Sequence, residues 1–137
     1  MTATAYAVTL ATLIIAHHVA DHWLQTNHQA THKARPTLQG HLANLRHVGT
    51  HTATLAGALL LVAWQTGTAY RPGYLAAGLA VNAITHYVAD RRVHLDRLAR
   101  LWPIRKGGWI DHDRYALYHL DQSWHLGWLL ITALIIT

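Results

Sequence analysis

No cysteine, phenylalanine or glutamate occurs in this chain of 137 residues, and charged side chains make up only 12% of it. Without cysteine there are no disulfides, thiolate zinc sites, cysteine-ligated iron–sulfur clusters or cysteine nucleophiles. Without glutamate, every carboxylate function falls to a few aspartates. No basic residue precedes the first apolar run, so the chain lacks the n-region of a cleaved signal peptide. Over half of the residues are hydrophobic, thirteen are histidine, and the formal charge is +5. That charge suits either nucleic acid or an anionic membrane surface, and its distribution decides between them.

Residues 2–20 carry no Lys, Arg, Asp or Glu, which is close to the roughly 20 residues needed to cross a bilayer core. Residues 52–70 are likewise uncharged, Arg71-Pro72-Gly73 signals a tight turn, and apolar runs follow at 74–89 and towards the C-terminus. The pattern predicts an all-α, single-domain, four-transmembrane-helix bundle. Its spans are expected at about 3–24, 47–69, 73–92 and 115–136, with polar loops at 25–46 and 93–114. Within the second loop, Leu98, Leu101 and Trp102 share one face and Arg97 and Arg100 the other, as in a helix lying on a membrane surface. A soluble four-helix bundle is the alternative, favoured by a mean hydropathy of only +0.11. The uncharged runs, however, lack the polar outer face that a soluble amphipathic helix needs.

Ten of the eleven basic residues lie in or beside the first and third connections, and only Arg71 lies in the second. The positive-inside rule makes those two connections cytoplasmic and both termini non-cytoplasmic. The expected partner is therefore the lipid bilayer rather than nucleic acid. Self-association into a homo-oligomer is left open.

Four pairs stand out at a spacing of four: His17 with Asp21, His47 with His51, His86 with Asp90, and Asp121 with His125. Such pairs share a helix face, and buried polar groups on apolar helices are unfavourable unless bound. Helix direction alternates in an up-down bundle. All four pairs are then expected at the cytoplasmic end, each within roughly 5–12 Å of its helix terminus. Imidazole and carboxylate are the ligands of a divalent metal where thiolate is absent. Zinc is the first choice, with manganese or iron as alternatives. Eight donors exceed the needs of one catalytic zinc, so either two ions share the site or one is bound with spare groups around it. Asp21, Asp90 and Asp121 are also candidate proton acceptors in catalysis. Gln25, Asn82 and Gln122 fall near the same faces as orienting groups. Arg91 and Arg92 are candidate contacts for a substrate or lipid headgroup. The other eight histidines are read as loop or surface residues, and Asp111 and Asp113 beside His112 as a solvated turn.

Taken in order, HHVADHWLQT, HVGTH, THYVADRR and LDQSWH resemble a family of small multi-pass membrane proteins of bacteria and their phages, known only as a domain of unknown function. The matching positions are His17, Asp21 and Gln25; His47 and His51; His86, Asp90 and Arg91; and Asp121, Gln122 and His125. The pattern is more remotely similar to membrane-bound metal-dependent hydrolases. The resemblance implies a bacterial plasma membrane location and a metal site, and supplies no substrate.

The leading expectation is a membrane-embedded metal-dependent hydrolase acting on an anionic lipid or phosphate-containing substrate at the cytoplasmic interface. A divalent-metal or proton transporter or sensor is the alternative, although the outer half of every span has few polar groups. A bis-histidine haem protein does not call for three aspartates. A structural, holin-like phage membrane protein needs no site at all.

Overall fold

Helix boundaries follow from local chemistry at each end. The computed structural model describes residues 2–137. The Thr2 hydroxyl accepts the Ala5 amide and starts α1, Ala3–Val19. The same rod continues as a π-helical turn, Ala20–Leu24, and stops where Gln25 becomes extended. A capping box between Thr26 and Gln29 starts α2, Asn27–His32. The Thr37 hydroxyl accepts the Gly40 amide and starts α3, Leu38–Thr66, which ends at Gly67 in the left-handed conformation (φ 70°). Pro72 occupies the first position of α4, Pro72–Asp90. The short helices α5, Val93–Arg100, and α6, Gly107–His112, precede α7, Ala116–Ile136.

The four long helices form a closed ring: α1 packs on α3 and α7, and α4 packs on α3 and α7. Leu13, Ala16, Leu55, Leu59, Leu129, Ala133 and Ile136 fill one half of its interior. Close approach of α4 to α7 depends on Gly78, where an added Cβ would lie 2.6 Å from Ile136 Cγ1. At the other end, α2 and the loop after it fold back onto α3. Here Gly40 is packed against backbone, and a Cβ on it would lie 2.1 Å from the Arg35 carbonyl oxygen.

The structure refines several expectations. A helix starting near Thr37 and running on into the span from 47 is what the sequence allows after the break at Pro36, and α3 begins at Leu38, where Thr37 caps it. Its 29 residues span about 43 Å at 1.5 Å each. In α5 the inward face carries Leu95 and Ala99, while Leu98, Leu101 and Trp102 are exposed. Asp111 is held by the Arg100 fork at 2.8 and 3.3 Å, which keeps its carboxyl below the usual carboxylate range. Asp113 accepts from Trp109 Nε1 and the Tyr115 amide. Four spans were expected on composition. Among the described residues one helix, Ala3–Leu24, is long and apolar enough to cross a membrane, which by itself is weak evidence for membrane association. The His, Asn, Gln and Asp side chains of α3, α4 and α7 lower their average hydropathy below that level.

Gly40→Ala is expected to destabilise the chain by roughly 1–3 kcal/mol, because the new methyl group must displace backbone. Gly49→Ala, whose Cβ meets nothing within 4 Å, should be neutral or stabilising by up to about 1 kcal/mol. Thermal melts followed by circular dichroism compare the two; equal midpoints would contradict the close contact at Gly40.

Candidate metal centre

The four-residue spacing in four antiparallel helices stacks the polar side chains in layers. Three leucines, Leu13, Leu55 and Leu129, and one polar residue, Asn82, form the floor, each at most 3% exposed. One turn above lie His17, His51, His86 and His125, one from each long helix and all at most 2% exposed. One further turn brings Asp21, His47, Asp90 and Asp121 together. In α1 this second step falls where the α-helix widens into the π-helical turn at Ala20. Such turns recur at functional sites because they redirect side chains.

The eight side chains make one cluster. His47 Nε2 lies 3.0 Å from His86 Nε2, 3.3 Å from Asp21 Oδ1 and 3.4 Å from Asp90 Oδ2. His86 Nε2 lies 3.3 Å from Asp90 Oδ2 and 3.7 Å from Asp21 Oδ1. Neighbouring ligands on one cation with bonds of roughly 2.1 Å lie about 3.0–3.4 Å apart, so these separations suit a single small ion. Asp21 Oδ1 and Asp90 Oδ2 are buried and have no hydrogen-bond partner. A buried carboxylate oxygen left without a partner is strongly unfavourable, and a cation between the two would satisfy both.

The remaining donors surround this group. One ring nitrogen of the His17 Nδ1–His51 Nε2 pair donates to the other at 2.9 Å. His17 Nε2 lies 3.7 Å from Asp21 Oδ2, behind the carboxylate that His47 faces. His125 Nε2 lies 3.4 Å from Asp121 Oδ1. Gln122 Nε2 donates to Asp121 Oδ2 at 3.3 Å, and Trp124 Nε1 donates to the Thr85 carbonyl at 3.2 Å, tying α7 to α4. Three overlapping groups meet the spacing for a cation: His17, Asp21, His51 and His86; His47, His86 and Asp90; and Asp90, Asp121 and His125.

Lys33 belongs to the site and was missed in the sequence, where it reads as a loop charge and topology signal. Its Nζ is 2.7 Å from Asp90 Oδ1, with a side chain only 12% exposed. Arg91 explains how it gets there. Arg91, expected as a headgroup contact, is instead 6% exposed and donates to the Lys33 and Arg35 carbonyls, both at 2.6 Å. A planar guanidinium can serve two such acceptors at once, and here it clamps the 33–35 backbone over the end of α4. No residue between Pro36 and Asp90 signals this contact in the sequence. Arg92 remains exposed at the start of α5. Of the expected orienting groups, Gln122 touches a ligand and Asn82 lies in the floor beneath His86. Gln25 sits beyond the π-helical turn, where its Nε2 is buried without a partner. His18, His22, His28, His41, His94, His112 and His119 are exposed and His32 is half-buried; of these, His18 lies against the outer side of the cluster, its ring centroid 5.2 Å from that of His17.

Fold and site together define an all-helical bundle with a buried histidine–aspartate centre at one end. The chain belongs to the family described as Protein of unknown function (DUF3307), whose profile matches residues 9–137. No curated protein and no solved structure matches it.

Two outcomes test this geometry. His86→Ala and Asp90→Ala should each strip bound metal from the purified protein, whereas His32→Ala should retain it; equal metal content in all three, by elemental analysis, contradicts the assignment. Arg91→Ala should lower stability by roughly 2–4 kcal/mol through two lost charged hydrogen bonds, with little recovery in Arg91→Lys. Full rescue by lysine in a thermal melt would show that charge alone, and not the two-pronged clamp, matters.

Proposed function

We propose that this protein is a membrane-embedded, metal-dependent hydrolase acting on a lipid or phosphate-containing substrate at the cytoplasmic interface, with zinc as the first-choice ion. The observation that carries the reading is the buried cluster of five imidazoles and three aspartates, in which the facing carboxylate oxygens Asp21 Oδ1 and Asp90 Oδ2 have no hydrogen-bond partner. A divalent ion there supplies Lewis acidity and a water of lowered pKa. The chain's own residues supply the rest. Asp121 adds a third carboxylate to the cluster from α7, and Lys33 brings a cation to its edge at Asp90, where an anionic group would enter.

Membrane insertion as four spans is part of the proposal. It is supported by the inverted polarity of the bundle, which is polar inside at the site and apolar outside. Ile15, Leu60, Leu61, Trp64, Ile84, Leu130 and Leu134 point outward and are well exposed, which suits lipid better than water. With the arginine-rich connections inside, the site faces the cytoplasmic leaflet of a bacterial plasma membrane, where phosphate headgroups are dense.

Transport is the weaker reading for a structural reason. Below the histidine layer Leu13, Leu55, Leu59 and Leu129 are fully buried and the buried polar groups are the neutral side chains of Asn82, Thr9 and Thr132, with no charged or imidazole ligand of the kind that lines an ion path.

The test uses the purified full chain with vesicles containing phosphatidic acid. Phosphate release is expected, to be abolished by a chelator and by Asp90→Ala, and restored to the chelated wild type by zinc or manganese. A metal-loaded, folded protein that releases nothing from lipid phosphate or from soluble phosphate esters would remove the hydrolase reading.

A further inference from the structure

We infer that the cluster holds two divalent cations that share Asp90, and that the pair is built to receive a phosphate dianion. This rests on the metal-centre reading above and adds the number of ions and the charge of the ligand.

The first position is the one between Asp21 Oδ1, His47 Nε2, His86 Nε2 and Asp90 Oδ2, in which the two imidazole nitrogens lie 3.0 Å apart and each lies 3.3–3.7 Å from both carboxylate oxygens. Four donors complete a small divalent ion. That leaves Asp121 Oδ1 and His125 Nε2 on α7 outside the first position. His125 is 2% exposed, its Nε2 has no hydrogen-bond partner, and Asp121 Oδ1 lies 3.4 Å away. These two form a second group with Asp90, with one donor atom from each within 4.8 Å of the others. Asp90 thus belongs to both positions, from the helix that packs on both α3 and α7. A shared carboxylate is what holds paired catalytic ions roughly 3.5–4 Å apart. His17 and His51, hydrogen-bonded to each other, stand behind Asp21 as orienting groups, the usual second layer of a metal site.

Charge makes the same argument independently. Ligating imidazoles are neutral, so the formal charges in contact with the donors are the carboxylates of Asp21, Asp90 and Asp121 and the ammonium of Lys33; the buried Arg91 guanidinium lies apart from them, on the Lys33 and Arg35 carbonyls. Together the contacting groups carry two negative charges. One divalent ion only neutralises these contacting groups. Two divalent ions leave two positive charges, the complement of a phosphate monoester dianion. Lys33 sits on Asp90 Oδ1 at 2.7 Å, at the shared carboxylate, where a phosphate oxygen would meet both ions.

The experiment loads the purified full chain with Mn(II), removes excess metal, and measures metal per chain together with the electron paramagnetic resonance spectrum. Two ions per chain and an exchange-coupled signal are expected. The Asp121→Asn/His125→Gln double variant should hold one ion with an isolated six-line signal. It should also bind inorganic phosphate at least tenfold more weakly than wild type in calorimetry. One uncoupled ion in the wild type, lost in His86→Ala, overturns the pair and leaves the metal centre standing. No ion in folded wild type overturns both. The wild-type ratio decides the matter even where the double variant does not fold.

Discussion

Three aspartate carboxylates sit among five imidazoles inside a ring of four largely apolar helices, and one ammonium, that of Lys33, reaches them. The desolvation penalty for a buried ion is on the order of several kcal/mol after relaxation. The aspartates do not pair off with arginines, because the arginine that comes nearest, Arg91, spends its donors on two backbone carbonyls. The imidazoles lie against each other with ring centroids as close as 4.0 and 4.2 Å. Such packing of like groups around unpartnered carboxylate oxygens is destabilising in an empty protein. The same arrangement becomes favourable around a cation, and folding and metal binding are then coupled.

The rest of the architecture serves that layer. Antiparallel helices with a four-residue polar spacing place one donor from each helix at each level, and the floor of Leu13, Leu55, Leu129 and Asn82 lies below the site. The π-helical turn shifts the end of α1 at the level of Asp21. The α2–α3 hairpin closes the top, seated on Gly40 and clamped by Arg91, and its loop delivers Lys33. Polarity is thereby turned inside out at one end of the bundle, with hydrogen-bonding groups inward and large apolar side chains outward.

Much of this was legible in the sequence because helical periodicity is a local property. The pairs His17/Asp21, His47/His51, His86/Asp90 and Asp121/His125 announce a shared face in each helix, and alternating helix direction predicts a shared level. What the sequence does not show is what depends on contacts between distant residues. Lys33 looks like any loop lysine until Arg91 is seen holding its carbonyl. Arg91 looks like a headgroup contact because nothing local shows that α4 ends with its side chain turned inward. Gln25 keeps the four-residue step, but it follows the π-helical turn in extended backbone and its Nε2 is buried without a partner. The expected spans were read from uncharged runs, whereas the same histidines and amides that build the site lower the hydropathy of α3, α4 and α7.

The central claim is that imidazoles and carboxylates of this cluster bind a cation directly. X-ray absorption at the metal edge of the purified protein tests this without any assumption about activity. The account predicts a first shell of nitrogen and oxygen at about 2.0–2.1 Å, with no sulfur, and the outer-shell scattering of several imidazole rings. A shell of oxygens alone without imidazole scattering, as from an ion held loosely by water and surface carboxylates, would contradict it.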